Sequence, residues 1–132
     1  MMLRYMLDTD TVSYALRNDG HVDANLKRHS RTEVCISAIT LVELRFGAEK
    51  RLSRSLHAKI DIFTRSVTVL AFDKAAADTS GRLAAQLAAR GTPIGEIDAL
   101  IAGHALSANL TLVTNNMKHF ARVAGLSTEN WL

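Results

Sequence analysis

At four places along the chain, oxygen-bearing side chains sit at the edges of apolar runs. Asp8 closes Leu3-Arg4-Tyr5-Met6-Leu7, Glu43 lies in Ile39-Thr40-Leu41-Val42-Glu43-Leu44, Asp98 lies in Ile94-Gly95-Glu96-Ile97-Asp98-Ala99-Leu100-Ile101-Ala102, and Asn115 and Asn116 follow Leu110-Thr111-Leu112-Val113-Thr114. Carboxylates in such settings are costly unless compensated, and one hard divalent cation taking oxygen ligands compensates several at once. The chemistry expected of such a set is metal-ion catalysis, in which substrate charge is neutralised and hydroxide is made from a bound water. Each acid alone has a plain alternative. Asp8 can cap a helix beginning near Thr11, Asp98 can favour a helix N-terminus through the macrodipole, and Glu43 can be a solvated helix residue. Glu43 discriminates best, because Ile39, Leu41, Val42, Leu44 and Phe46 leave little polar face on that turn. Only the set is specific.

The elements that must position these residues follow from period. The chain of 132 residues is expected to form a single domain, 1–132, large enough to bury about two thirds of its unfolded surface. Strands are expected over 3–7, 34–36, 67–71 and 110–113, and helices over about 11–17, 22–30, 38–50, 53–65, 74–90 and 96–108. The first and last strands are apolar on both faces and separated by helices, the pattern of an α/β fold whose parallel sheet is covered on both sides. Ser37 is expected to cap the helix carrying Glu43, Asp73 the long Ala-rich helix, and Gly91-Thr92-Pro93 to end that helix. In open α/β sheets function sits at the carboxyl ends of strands. Asp8 and Asn115/Asn116 both fall just past such ends, and if those strands are neighbours their ends meet in one crevice.

Charge and composition narrow the function classes. The net charge is +3, yet from Lys27 to Arg65 there are nine Lys or Arg against four acids. A solvated helix face and a phosphate-backbone binding stripe both read this way. A single cysteine, Cys35 in Val34-Cys35-Ile36, excludes an intrachain disulfide and reads as core. No stretch approaches the about 20 apolar residues of a membrane span and no signal-peptide pattern opens the chain, so a soluble, untargeted protein is expected. Aromatic residues are few, which favours electrostatic and shape-based recognition over base stacking. His104, in an Ala/Leu-rich helix, and His119, in a charged turn, read as packed or solvated rather than catalytic.

Four blocks taken together resemble the PIN-domain ribonuclease toxins of VapC type. They are Leu7-Asp8-Thr9-Asp10-Thr11, Ser37-Ala38-Ile39-Thr40-Leu41-Val42-Glu43-Leu44, the run from Ile94 to Leu106, and the run from Leu112 to Leu126, closing on Glu129-Asn130-Trp131. The likeness spans the whole chain in the family's order. It implies a three-layer α/β/α sandwich on a parallel sheet, a cytoplasmic Mg²⁺- or Mn²⁺-dependent endoribonuclease, a homodimer, and a cognate antitoxin protein that restrains it. It places the metal-binding acids on Asp8, Glu43 and Asp98. The fourth position, an Asp in many PIN domains, is amide here, and Asn116 joins the catalytic set with Asn115 beside it. Thr9 and Thr114 are expected to orient water or phosphate, and Asp10 and Glu96 to support the ligands, with turn or cap roles as the plain alternative. Arg45, Lys50, Arg51 and Arg54 are the candidates for the RNA backbone. An antitoxin tail is expected to lie along the 38–50 and 53–65 helices on Leu41, Leu44, Leu52, Leu56, Ile60 and Phe63, and to present Arg or Lys to the acids. Two alternatives remain at this level. Asp8-Thr9-Asp10-Thr11-Val12 also matches the signature of haloacid dehalogenase-like phosphatases, with Asp8 as nucleophile, although no late Asp-Asp pair follows and Glu43 is left unexplained. The other is a non-catalytic module of the same fold that binds RNA or a protein partner.

Overall fold

Side chains alternate across the strands and divide the interior into two cores, one on each face of a sheet. The computed structural model describes residues 2–18 and 20–132. Its five parallel strands are β1 (Tyr5–Leu7), β2 (Val34–Ser37), β3 (Thr68–Leu70), β4 (Thr111–Val113) and β5 (Thr128–Glu129), in the order β3-β2-β1-β4-β5. The helices are α1 (Thr9–Leu16), α2 (Val22–Lys27), α3 (Ala38–Lys50), α4 (Arg54–Ser66), α5 (Lys74–Ala89), α6 (Glu96–Ser107) and α7 (Met117–Phe120). Tyr5, Leu7, Val34, Ile36 and Val113 point to the face covered by α1 to α4, where Leu26, Leu44, Ile60 and Phe63 complete the core. Met6, Cys35 and Leu112 point to the other face, against Leu83, Leu87, Ile101, Ala105 and Phe120 of α5 to α7. This is the expected three-layer α/β/α sandwich. Each fully buried Leu or Ile contributes about 1.5–3 kcal/mol relative to exposure.

The strand order reverses at β1. The chain steps outward from β1 through β2 to β3, then crosses back to place β4 on the other side of β1 in register Leu7↔Val113. That switch point leaves a crevice beyond the strand ends. The Asp8 backbone N–H donates to the Val113 carbonyl at 3.0 Å, so the first residue after β1 is locked to the end of β4.

Local signals set the helix ends. The Ser37 hydroxyl accepts from the Ile39 N–H at 3.0 Å and the Asp73 carboxylate from the Ala76 N–H at 3.0 Å, as expected of N-caps. Gly91, at φ +71, lets the Thr92 N–H return to the Leu87 carbonyl at 2.9 Å and closes α5 in a Schellman turn. Cys35 is fully buried, and burial pushes its thiol up to about 12.

The structure differs from expectation at several ends. α1 begins at Thr9 rather than Thr11, because Asp8 itself caps it. α2 stops at Lys27, three residues short of the expected 30, where Ser30 and Glu33 form a capping box on a separate 3-10 turn, Arg31–Glu33. α7 and β5 were not expected: a four-residue helix and a two-residue strand carry too little period to be read.

Candidate active site

Three acids reach the crevice from three different elements. Asp8 leaves the end of β1, Glu43 stands on the second turn of α3, directly after β2, and Asp98 on the first turn of α6. Asp8 is 6% exposed, and its Oδ1 accepts from the Thr11 N–H at 2.9 Å, with the Thr114 hydroxyl beside it, while the Thr11 hydroxyl donates to the Val113 carbonyl at 3.1 Å. Burial raises its pKa above the ordinary value, and those hydrogen bonds only partly offset the rise. Glu43 Oε1 accepts from the Thr9 hydroxyl, which lies 3.3 Å from the hydroxyl of buried Thr40. Burial raises the Glu43 pKa first, and the charges of Asp98, Asp10 and Asp8 raise it further. Burial also raises that of Asp98, against the lowering effect of His119, whose Nε2 lies 3.0 Å from Asp98 Oδ2.

Glu43 thus stands in the field of three like charges, those of Asp98, Asp10 and Asp8. The set is all oxygen, suited to a hard divalent ion, and each carboxylate is held by hydroxyl, amide or imidazole donors that leave further lone pairs open. Among the described residues no group of three or more His, Cys, Asp or Glu side chains is arranged to hold a metal ion. The acids meet through their fields. Asp10 is exposed on the first turn of α1, yet its charge acts on Asp8, Glu43 and Asp98 alike.

The PIN domain family model matches residues 5–126. A curated relative, the tRNA(fMet)-specific endonuclease VapC of Salmonella typhimurium, is 42% identical over 132 residues, covering 98% of this chain and 99% of that protein. This chain belongs to the PIN domain family, among the VapC ribonucleases. Two solved structures have the same fold over nearly every residue. The DNA-bound VapBC of Salmonella typhimurium is 39% identical with TM-score 0.89, covering 99% of this chain and 100% of that one. VapBC2 of Rickettsia felis, bound to a promoter DNA fragment, is 36% identical with TM-score 0.88 and full coverage of both chains.

In this VapC-type PIN domain some expected site residues stand apart from the acids. Glu96 is exposed and borders an apolar cavity of about 570 Å³ between α5 and α6. The Asn115 amide lies 3.5 Å from the Tyr14 hydroxyl, and Asn116 places its backbone N–H on the Thr114 hydroxyl at 3.0 Å. Both amides are exposed, and neither side chain bonds an acid of the crevice. Thr9 and Thr114 instead hold Glu43 and Asp8 directly.

Three expectations need correction. His119 is neither merely packed nor solvated: its Nε2 sits between the Ile94 carbonyl, 2.8 Å away, and Asp98. The only signal for it was its place shortly after β4, beside Asn115 and Asn116. Arg45 does not present a free charge, because Asp61 pairs with it and His57 Nδ1 lies 2.9 Å from its guanidinium. The expected apolar groove is largely core. Leu44, Ile60 and Phe63 are buried, Leu41 and Leu56 pack against them, and the apolar surface presented outward is Val42, Phe46, Leu52 and Ile62. His104 is buried as expected, with Nδ1 2.8 Å from the Ser37 hydroxyl and its ring edge-on to Phe72. Among the described residues no helix is long and apolar enough to cross a membrane.

Proposed function

We propose that this chain is the endoribonuclease toxin of a toxin–antitoxin pair, acting in the cytoplasm on RNA phosphodiester bonds. The observation that supports this reading is the match to the PIN domain model and to a VapC endonuclease over nearly the whole chain, together with Asp8, Glu43 and Asp98 on elements bordering the β1/β4 switch point, where the charges of Asp8 and Asp98 both act on Glu43. Asp8, Glu43 and Asp98 would hold Mg²⁺ or Mn²⁺, which when bound supplies charge neutralisation at the phosphate and an activated water. Thr11 and Thr114 fix the Asp8 carboxylate, Thr9 fixes Glu43, and His119 fixes Asp98, so each carboxylate is oriented before substrate arrives. Asn115 and Asn116, exposed just past the end of β4, would bond a ribose or phosphate oxygen of the RNA. Attack by water in line would leave 5′-phosphate and 3′-hydroxyl ends, as the family likeness suggests. Because the Salmonella relative is named for tRNA(fMet), that RNA is the first substrate to test.

The partner follows from the same field. An antitoxin that inserts Arg between these carboxylates would meet its fixed fork of donors with two oxygens at once. Exposed Val42, Phe46, Leu52 and Ile62 offer the adjoining apolar contact. The test is end-mapping of cellular RNA and tRNA(fMet) treated with purified protein. Cleavage with Mg²⁺ or Mn²⁺ that stops in EDTA is expected. Undiminished cleavage in excess EDTA overturns the metal mechanism, and no cleavage under any condition overturns the nuclease reading.

A further inference from the structure

Beside the acidic crevice, α1, α3 and α4 enclose a second hollow of about 150 Å³. Thr9 and Glu43 form one end of it, Arg17, Arg51 and Lys59 line it, and Leu16, Leu44 and Leu56 give it apolar walls. Arg17 follows α1, Arg51 follows α3 and Lys59 lies on α4, so three segments distant in sequence each bring a cation to one small space. Glu43 is the one carboxylate among the lining residues, and the cations outnumber it. Arg51 and Lys59 form no ion pair with a described acid, in contrast to Arg45, which faces away to Asp61.

Glu43 borders both the hollow and the crevice. We propose that the hollow binds a backbone phosphate adjacent to the scissile one, with Arg17, Arg51 and Lys59 as its donors, and so fixes the direction in which RNA crosses the acids. The inference rests on the nuclease reading above and adds a subsite to it. Guanidinium forks suit two phosphate oxygens, the Thr9 and Ser13 hydroxyls line the same space, and the leucines suit the ribose carbons. It also answers a difficulty of the crevice. Four acids in mutual contact through their fields repel RNA, and an anchored neighbouring phosphate supplies attraction where the crevice alone has none. An acidic side chain of an antitoxin has the same charge, and the experiment separates the two.

End-labelled tRNA(fMet), sparsely ethylated so that single phosphates are neutral, is bound to the Asp98→Asn protein, and bound and free fractions are compared. The same is done in the Arg51→Ala/Lys59→Ala background. The expected result is one interfering phosphate that disappears in the double variant. Affinity should fall roughly tenfold or more, and the salt slope by about 0.7 per lost contact to a single strand. An unchanged interference pattern overturns the proposal, as does failure of the Asp98→Asn protein to bind tRNA(fMet). Loss of antitoxin affinity with an unchanged RNA pattern also overturns it and assigns the hollow to the antitoxin. Failure of the nuclease reading shows separately, as absence of cleavage by the unsubstituted protein.

Discussion

His119 Nε2 stands 3.0 Å from Asp98 Oδ2 while the same nitrogen lies 2.8 Å from the Ile94 carbonyl. A carbonyl only accepts, so Nε2 carries the proton and shares it between Ile94 and Asp98. The imidazole thereby ties the first turn of α6 to α7 and sets which Asp98 oxygen faces the crevice. His119→Ala is expected to lower cleavage roughly 10- to 100-fold with little loss of stability, the range found when a partner of a metal ligand is removed. His119→Gln, which retains a donor, should recover part of it. Rates measured across a titration of Mn²⁺ decide the matter; an unchanged rate at every metal concentration would return His119 to packing.

Asp98→Asn should abolish cleavage, by about a hundredfold or more, and leave the fold intact. An amide keeps the shape and removes the charge that holds a cation. The check is cleavage of tRNA(fMet) together with a thermal melt of the same sample. Full activity of the variant would remove Asp98 from the ligand set.

Glu43 should destabilise the metal-free protein at neutral pH. Its pKa is raised above the ordinary 4.5 by burial and by Asp98, Asp10 and Asp8, so the folded state binds its proton more tightly than the unfolded state. Its contribution is therefore most favourable below that ordinary value and is lost as pH rises through the raised one. Glu43→Gln, which can still accept from the Thr9 hydroxyl, should melt above the unsubstituted protein at neutral pH without metal. The difference should shrink as pH falls toward 4.5. Saturating Mn²⁺ should reverse the order of the two melts, since only the carboxylate protein gains the cation. A variant that melts lower than the parent at neutral pH without metal would contradict the charge argument.

Gly103 lets α6 approach α5 closely at Ser80. A Cβ there would stand 2.6 Å from the Ser80 Cα and 2.1 Å from its hydroxyl oxygen, so backbone would have to move. Gly103→Ala is expected to cost about 1–3 kcal/mol by overpacking. Because α6 carries Asp98, cleavage should fall more than the loss of folded protein explains. The measurement pairs a denaturant titration with the rate per folded molecule; a rate unchanged per folded molecule would separate the helix contact from the site.

Much of the candidate site is legible in the chain alone. The strands at 3–7 and 110–113 announce themselves because both faces are apolar, and Asp8, Glu43 and Asp98 because each interrupts an apolar run. Ser37 and Asp73 are legible as caps because capping is settled within three residues. Properties of this kind depend on neighbours in sequence.

What needed the fold is everything that depends on partners far along the chain. β1 lies between β2 and β4 through pairings that no local pattern encodes, and that order brings Asp8 beside Thr114. The bond between His119 and Asp98 joins residues on two elements across a loop, and the surface pairing of Arg45 with Asp61 joins two helices, a partner for Arg45 that no local pattern announces. α3 carries apolar residues on several faces, so its period alone does not say that Leu44 is core while Val42 and Phe46 face outward. The hollow of Arg17, Arg51 and Lys59 exists because three segments converge, and a charge becomes a site only where tertiary packing brings it to others.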